Sequence, residues 1–159
     1  DPSYGHIFDN FANEFVYPGG VRVHSMHRHW EGAGGFSGDG EVVIGTKGRA
    51  VPGERIDGPN SWTFDEELPM PSIEQEHADL IASIRAGEPL NEGKRIAESS
   101  LTAIMGREAV YTGQEVTREE VLNADMDLAP ETYEFGPAPF PPVATPGVTG
   151  LDRKWGDYA

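Results

Sequence analysis

Cysteine is absent from this chain of 159 residues, so disulfides, thiolate zinc sites and cysteine nucleophiles are excluded, and cysteine usage leaves the redox compartment open. Basic residues are scarce as well. Twelve Lys and Arg stand against 27 Asp and Glu, a formal net charge of −15 at pH 7, and they form no run. Nucleic-acid affinity comes largely from basic side chains that release condensed counterions, and an anionic lipid surface attracts the same residues. The sign of the charge therefore argues against both partners. Long apolar runs are missing too, since none approaches the roughly 18 residues of a membrane span.

What is present suffices for one core. With glycine counted and tyrosine not, the apolar share is about 47%, an ordinary globular value. Glycine and proline are plentiful, at 20 and 13 residues, but the excess is local. The chain opens on Asp1-Pro2 rather than on methionine, which reads as a processed product, an excised domain or a fragment.

Residues 6–17 and 21–30 are strand-like and flank Pro18-Gly19-Gly20, whose glycines supply the positive φ angles of a two-residue hairpin turn. An even loop length places Asp9, Phe11, Asn13 and Phe15 on one face with Arg22, His24, Met26 and Arg28. The other face then carries Phe8, Asn10, Ala12 and Glu14 with Val23, Ser25, His27 and His29. Neither face is purely apolar, which suits a sheet covered by helices on one side and lining a polar site or an interface on the other. A glycine-rich loop follows over residues 31–40. Short strands are predicted at 41–44 and 49–51 around Thr46-Lys47-Gly48, and another at 61–64.

Helical patterning starts at Ser72. Ser72 and Gln75 fit a capping box, Ile73, Leu80, Ile81 and Ile84 form an apolar stripe, and Gly87 closes the helix. A second helix is predicted from Asn91, a good N-cap, to Gly113, with Ile96, Ser100, Ala103 and Val110 down one side and small residues that permit close approach to a neighbour. Thr117 and Glu120 form a further capping box, with Val116 and Val121 as its hydrophobic staple, for a short helix ending near Asn123. Six prolines fall between Pro130 and Pro146, so the end reads as an extended strap rather than core. Strands first and helices after them predict an α+β fold: an antiparallel open sheet with helices packed on one face and a Pro-rich extended tail. The predicted division is an α+β domain over residues 1–128 and the tail over 129–159.

Several motifs are weak. Gly32-Ala33-Gly34-Gly35-Phe36-Ser37 misses G-x-G-x-x-G at its third glycine and feeds a strand rather than a helix, so a phosphate cradle is rejected. His24, His27 and His29 spell H-x-x-H-x-H, yet on a strand only His27 and His29 share a face, and pocket-lining or solvated imidazoles are the better reading than a metal site. Asp9 and Arg28, expected on one face and close in register, read either as an ion pair or as a pair that holds sugar hydroxyls by charge-assisted hydrogen bonds. His77 falls beside the apolar stripe, where a partly buried histidine is the default. Its site reading is that Gln75, Glu76 and His77 approach a ligand from the first helical turn. No Ser/His/Asp triad assembles.

The stretches YGHIFDNFANEFVYPGGVRV (residues 4–23), IGTKGRA (44–50), EQEHADLIASIRAGEPLNEG (74–93), SSLTAIMGREAVYTGQEVT (99–117) and GPAPFPPVATPG (136–147) resemble, in order, the C-terminal half of Gfo/Idh/MocA-family oxidoreductases, closest to the bacterial branch acting on sugars and glycosides. The resemblance implies an N-terminal Rossmann domain that binds NAD or NADP, followed by an α+β domain whose open sheet closes the sugar or glycoside site and often builds a homo-oligomer. Some relatives use transient oxidation to cleave glycosidic bonds. The family's glycine-rich fingerprint, catalytic lysine and Asp/His catalytic segment all precede the matched region, so the resemblance places no catalytic, nucleotide-binding or metal-binding residue in this chain, and none of the cofactor on the chain alone. As substrate-orienting residues it implies His6, Asp9, Arg28 and His77. Where relatives often carry a tyrosine three positions before the helix glutamate, this chain has Ile73 before Glu76. With three lysines against 27 acids, a saline or extracytoplasmic setting is expected, and the compartment is left between cytoplasm and periplasm.

Overall fold

The structure is a computed structural model and describes residues 7–29, 32, 40–65, 70–130, 132–136 and 142–155. His6, Trp30 and most of the glycine-rich loop after it lie outside the described residues. The chain adopts an α+β fold with antiparallel strands, arranged in a two-stranded and a four-stranded sheet, and divides into two units: Asp1–Glu31 with Asn91–Ala159, and Gly32–Leu90. No described helix is long and apolar enough to cross a membrane.

In the first unit, β1 (Asn10–Val16) and β2 (Arg22–Arg28) form the hairpin. Its turn has three residues rather than two. The Tyr17 N–H donates to the Val21 carbonyl at 2.8 Å and the Gly20 N–H to the Tyr17 carbonyl at 3.1 Å. Gly19 and Gly20 both sit at φ +82°, a region that side chains with a Cβ avoid. The odd loop reverses the expected sharing of faces. Phe11 stands opposite His27, Asn13 opposite Ser25 and Phe15 opposite Val23, while Ala12 faces Met26 and Glu14 faces His24. The first set includes the half-buried side chains, and the second is exposed throughout.

The half-buried face packs on α2 (Gly93–Thr112). A Cβ at Gly106 would stand 2.8 Å from the Phe15 ring and 2.9 Å from the Asn13 amide, so glycine is what lets helix and strand approach. Along the packed side of α2, Gly106 is buried and Thr102 and Ala109 are half-buried, spaced at four and three residues. Of the expected stripe, Ile96, Ser100 and Ala103 are exposed, whereas Val110 is half-buried. Asn91 does act at the start of α2, its side-chain oxygen accepting the Gly93 N–H at 3.1 Å. Helix α3 (Arg118–Asn123) carries the capping box in full, Thr117 Oγ1 accepting from the Glu120 N–H at 3.2 Å and the Glu120 carboxylate accepting from the Thr117 N–H at 2.7 Å. Val121 beneath it is buried.

The far end of the chain is not the peripheral strap that its prolines suggest. The Gly147 N–H donates to the Thr112 carbonyl at 2.7 Å, and the Asp127 N–H to the Arg153 carbonyl at 3.0 Å. Ala144 and Arg153 are buried. Among the described residues, Gly147 and Arg153 tie this segment to Thr112 and Glu108 of α2.

The second unit holds a meander: β3 (Val43–Gly45), β4 (Gly48–Val51), β5 (Arg55–Asp57) and β6 (Trp62–Thr63), each paired antiparallel with the next. Its strand β5 is absent from the expected set, because Arg-Ile-Asp carries no β-branched run. The long helix α1 (Ser72–Ala86) follows. It begins after Pro71 with no side-chain cap, so the predicted Ser72 capping box does not form, and Gln75 Nε2 instead donates to Asp79 Oδ1 at 2.6 Å. It ends as predicted at Gly87, at φ 72°, which bonds back to the Ile84 carbonyl. None of its residues is buried. Ile73, Leu80, Ile81 and Ile84 remain 48–69% exposed.

Candidate functional site

Small residues on the C-terminal half of α2 leave room beside β1, and the room is a groove of about 1050 Å³ in the first unit. One wall is β1 from Ala12 to Val16 and the turn after it. The opposite wall is Thr102, Met105, Ala109 and Val110 of α2, and the α2–α3 connection, Gln114 to Arg118, closes one end. Its apolar parts include Phe15, Val16, Met105 and Val116. Its charged groups are Glu14, Arg22, Glu115 and Arg118, two of each sign.

Arg22 Nη1 donates to Glu14 Oε1, and His24 Nδ1 lies 3.6 Å from Glu14 Oε2 across the hairpin. These groups are exposed and water-screened, so the pairs orient side chains more than they add stability. Near the closed end, the Thr117 backbone and side-chain hydrogen bonds hold the Glu120 carboxyl below its ordinary pKa. Hydrogen bonds to the ionised form always act in that direction.

Helix α2 is anchored by a buried charge. The Glu108 carboxylate is fully buried and receives Arg153 Nη1 and, at 2.7 Å, Arg107 Nε. Arg153 Nη1 also donates to the Gly150 carbonyl at 3.1 Å. The Tyr111 hydroxyl, one turn on, accepts the Phe8 N–H at 3.3 Å, and its ring packs against the Phe8 ring at 4.7 Å between centroids, tilted by 52°. These contacts fix the helix that forms the groove's wall.

Of the residues implied as substrate-orienting, Asp9 and Arg28 belong to the same unit as this groove but do not line it. Asp9 precedes β1 at the hairpin's open end, where its carbonyl accepts the His29 N–H at 2.7 Å. Arg28 ends β2 opposite Asn10. With the register reversed, Asp9 and Arg28 fall on opposite faces of the hairpin, so the expected pairing on one face is corrected. His77 belongs to the second unit, on α1, and is exposed rather than partly buried. Its Nδ1 lies 2.8 Å from the Ile73 carbonyl. His6 lies outside the described residues. His27 stacks on Phe11 at 4.9 Å, and among the described residues no three His, Asp or Glu side chains converge to hold a metal.

Chemically, the groove offers hydroxyl, amide, carboxylate and guanidinium groups along an apolar floor, an arrangement suited to binding. No histidine is among the described residues that line it. The small-residue spacing of α2 was the signal that could have found it, since Thr102, Gly106, Ala109 and Gly113 trace one stripe. Set against protein-family models, curated proteins and solved structures, the chain matches none of them.

Proposed function

We propose that this chain is the substrate-binding and oligomerising C-terminal domain of an NAD(P)-dependent oxidoreductase of the Gfo/Idh/MocA family, acting on a sugar or glycoside by hydride transfer. The observation that carries the reading is the amount of apolar side chain left uncovered. Leu80, Ile81 and Ile84 on α1, Val16, Val23 and Met26 on the hairpin, and Ile44 on β3 are all more than two-fifths exposed. Uncovered apolar side chains in this number, in each of the two units, suit contacts with another domain or another subunit. The ordered similarity over residues 4–147 says which assembly to expect.

In that assembly the nucleotide supplies the hydride chemistry, held by a Rossmann domain outside this chain. The glycine-rich Gly32–Ser37 sequence lacks the third glycine of a pyrophosphate-binding turn, so no step is assigned to cofactor-binding residues here. His6, Asp9, Arg28 and His77 are the residues proposed to orient the sugar, by hydrogen bonds to hydroxyls rather than by proton transfer. Because Asp9 and Arg28 lie on opposite faces of the hairpin, they address the sugar separately.

The test is the coding sequence upstream of Asp1. A strand, a G-x-G-x-x-G turn and a helix there support the oxidoreductase reading. A start codon or a secretory signal supports the second reading, a stand-alone carbohydrate-binding or assembly module, which the groove favours because β1, α2 and the α2–α3 connection build it within one unit. Micromolar NAD or NADP binding by this chain alone, read by calorimetry, overturns the assignment of the nucleotide to another domain.

A further inference from the structure

Residues 144–154 hold α2 and the chain beyond α3 at once. On α2, Glu108 and Thr112 lie one turn apart on one face. Their side chains belong to residues only 0% and 2% exposed, and the Thr112 hydroxyl donates to the Glu108 carbonyl at 2.7 Å. This face takes the segment at two points. The Gly147 N–H donates to the Thr112 carbonyl at 2.7 Å, and Arg153 Nη1 donates to the Glu108 carboxylate and, at 3.1 Å, to the Gly150 carbonyl. The turn around Gly147 is closed on itself: the Val148 and Thr149 N–H groups donate to the Thr145 carbonyl at 2.9 and 2.8 Å, and the Thr145 N–H donates to Thr149 Oγ1 at 2.8 Å. Beyond α3, the Asp125 N–H donates to Asp152 Oδ1 at 2.8 Å, the Asp127 N–H donates to the Arg153 carbonyl at 3.0 Å, and Lys154 Nζ pairs with Asp125.

The stretch between these anchors, residues 113–124, contains α3 and the Gln114–Arg118 connection that closes one end of the groove. We propose that residues 144–154 are a clasp on this stretch. Clasp, connection and α3 open and close as one local unit while the hairpin and the rest of α2 stay folded, and the closed end of the groove is formed only while the clasp is shut. Arg153 makes the opening all-or-none. Its guanidinium serves Glu108 and Gly150 and its carbonyl serves Asp127, so its departure loosens both anchors together, and it takes a charge partner from a fully buried carboxylate, which makes a half-open state costly. The stretch also has hinges at both ends. Gly113 sits in the left-handed region at φ 68° and Ala124 is extended at φ −61° and ψ 137°, so the stretch moves without breaking a helix. A two-state element of this kind carries coupling between separate contacts. A ligand held against the connection with the clasp shut stabilises the clasp by the same factor by which the shut clasp tightens the ligand.

The clasp lies within the first unit and does not rest on the proposed oxidoreductase, so its test is independent of that reading. Amide hydrogen exchange of the chain, alone and as Gly147→Ala, reads the local unit. Gly147 sits at φ +82° with open space where a Cβ would stand, so alanine strains the shut clasp through its backbone alone. The expected result is that Val148 and Thr149 exchange faster, on the order of tenfold for the cost of a left-handed alanine. The amides of Glu120, Val121, Asp125 and Asp127, whose hydrogen bonds are to Thr117, Asp152 and Arg153, are expected to accelerate by the same factor. The hairpin amides of Tyr17 and His29 should change by less than about twofold, as amides of a separate cooperative unit do. Arg153→Met should accelerate the same set further, and Gly147→Ala carries the test where that variant fails to fold. Acceleration confined to residues 144–149 overturns the proposal, because the segment then frays from one anchor without carrying the other. Equal acceleration at Tyr17 and His29 overturns it as well, because the unit then opens only as a whole, and so does exchange that Gly147→Ala leaves unchanged.

Discussion

Glu108 and Arg153 form a closed ion pair across 45 residues of sequence, with side chains 0% and 4% exposed. The pair fastens the terminal segment to the last turns of α2, and Arg107, whose side chain is 38% exposed, braces the other carboxylate oxygen. A buried pair is weak evidence of net stabilisation, because desolvation offsets the Coulomb gain, but removing one partner strands the other charge. Glu108→Ala and Arg153→Ala are each expected to lower unfolding free energy by about 3–5 kcal/mol. The double variant Glu108→Leu with Arg153→Met, which removes both charges and keeps the volume, is expected to recover most of that loss. Urea unfolding of the three variants reads the difference. Additive losses in the double variant would show that the two side chains act independently.

The same attachment makes one helix-capping glycine more demanding than another. Gly87 and Gly113 both end helices in the left-handed region, at φ 72° and 68°. A Cβ on Gly87 meets open space, whereas one on Gly113 would stand 2.8 Å from Pro146 Cβ and 2.9 Å from the Gly147 nitrogen. Gly87→Ala should cost only the backbone term, roughly 1–2 kcal/mol. Gly113→Ala should cost more, because it also displaces residues 146–147 and the hydrogen bond from Gly147 to Thr112. Thermal unfolding of both variants tests the ranking, and an equal shift would mean that the terminal segment gives way freely.

Stability at the start of α3 should depend on acidity through one carboxylate. Hydrogen bonds from Thr117 lower the pKa of Glu120 in the folded chain. A depressed folded value means that the unfolded state binds the proton more readily. The stabilisation is therefore complete above the ordinary glutamate range and is lost as pH falls through the lowered folded value. Glu120→Gln should flatten this acid limb of the helix's stability, followed by exchange of the amides of α3. Thr117→Ala removes the oxygen that accepts the Glu120 N–H and should cost about 1 kcal/mol at neutral pH. A Glu120→Gln chain with an unchanged acid limb would assign the pH dependence to other carboxylates.

Local chemistry was the legible part of this sequence. Gly87 and Gly113 announce helix ends because only glycine sits comfortably at positive φ, and Thr117 with Glu120 announces a helix start because the two side chains satisfy each other's backbone N–H groups. Strands before helices were enough for the α+β class. Hairpin faces were not legible, since one residue more in the turn at Pro18-Gly19-Gly20 exchanges every side chain between faces; this separated Asp9 from Arg28. The Ser72 capping box failed because Ser72 is already the first helical residue after Pro71. The role of Arg153 could not be read at all, for its partner lies 45 residues away and a proline-rich composition gives no sign that the terminal segment is tied down. The groove was half legible: small residues in α2 announced a close neighbour, but not that β1 would be that neighbour.

Helix α1 makes the last prediction, and its sign is unusual for an apolar stripe. Ile73, Leu80, Ile81 and Ile84 lie at helical spacing, yet they are 68%, 48%, 48% and 69% exposed. Truncating a buried leucine or isoleucine costs about 2–5 kcal/mol, from lost transfer energy and from the cavity left behind. Here neither term operates fully, because about half or more of each side chain already meets solvent. Ile84→Ala and Ile73→Ala should therefore change the unfolding free energy of this chain by only about 0.5 kcal/mol, the range of surface substitutions, and alanine's better helix propensity acts in the stabilising direction. Placed within the longer oxidoreductase proposed above, the same substitutions should cost several times more if α1 packs against the rest of that protein. Urea unfolding of the two variants in each context gives the comparison. A loss of 2 kcal/mol or more in the short chain would show that its stripe is already covered in solution, whereas a small loss in both contexts would remove α1 from the surfaces that join this chain to a second domain.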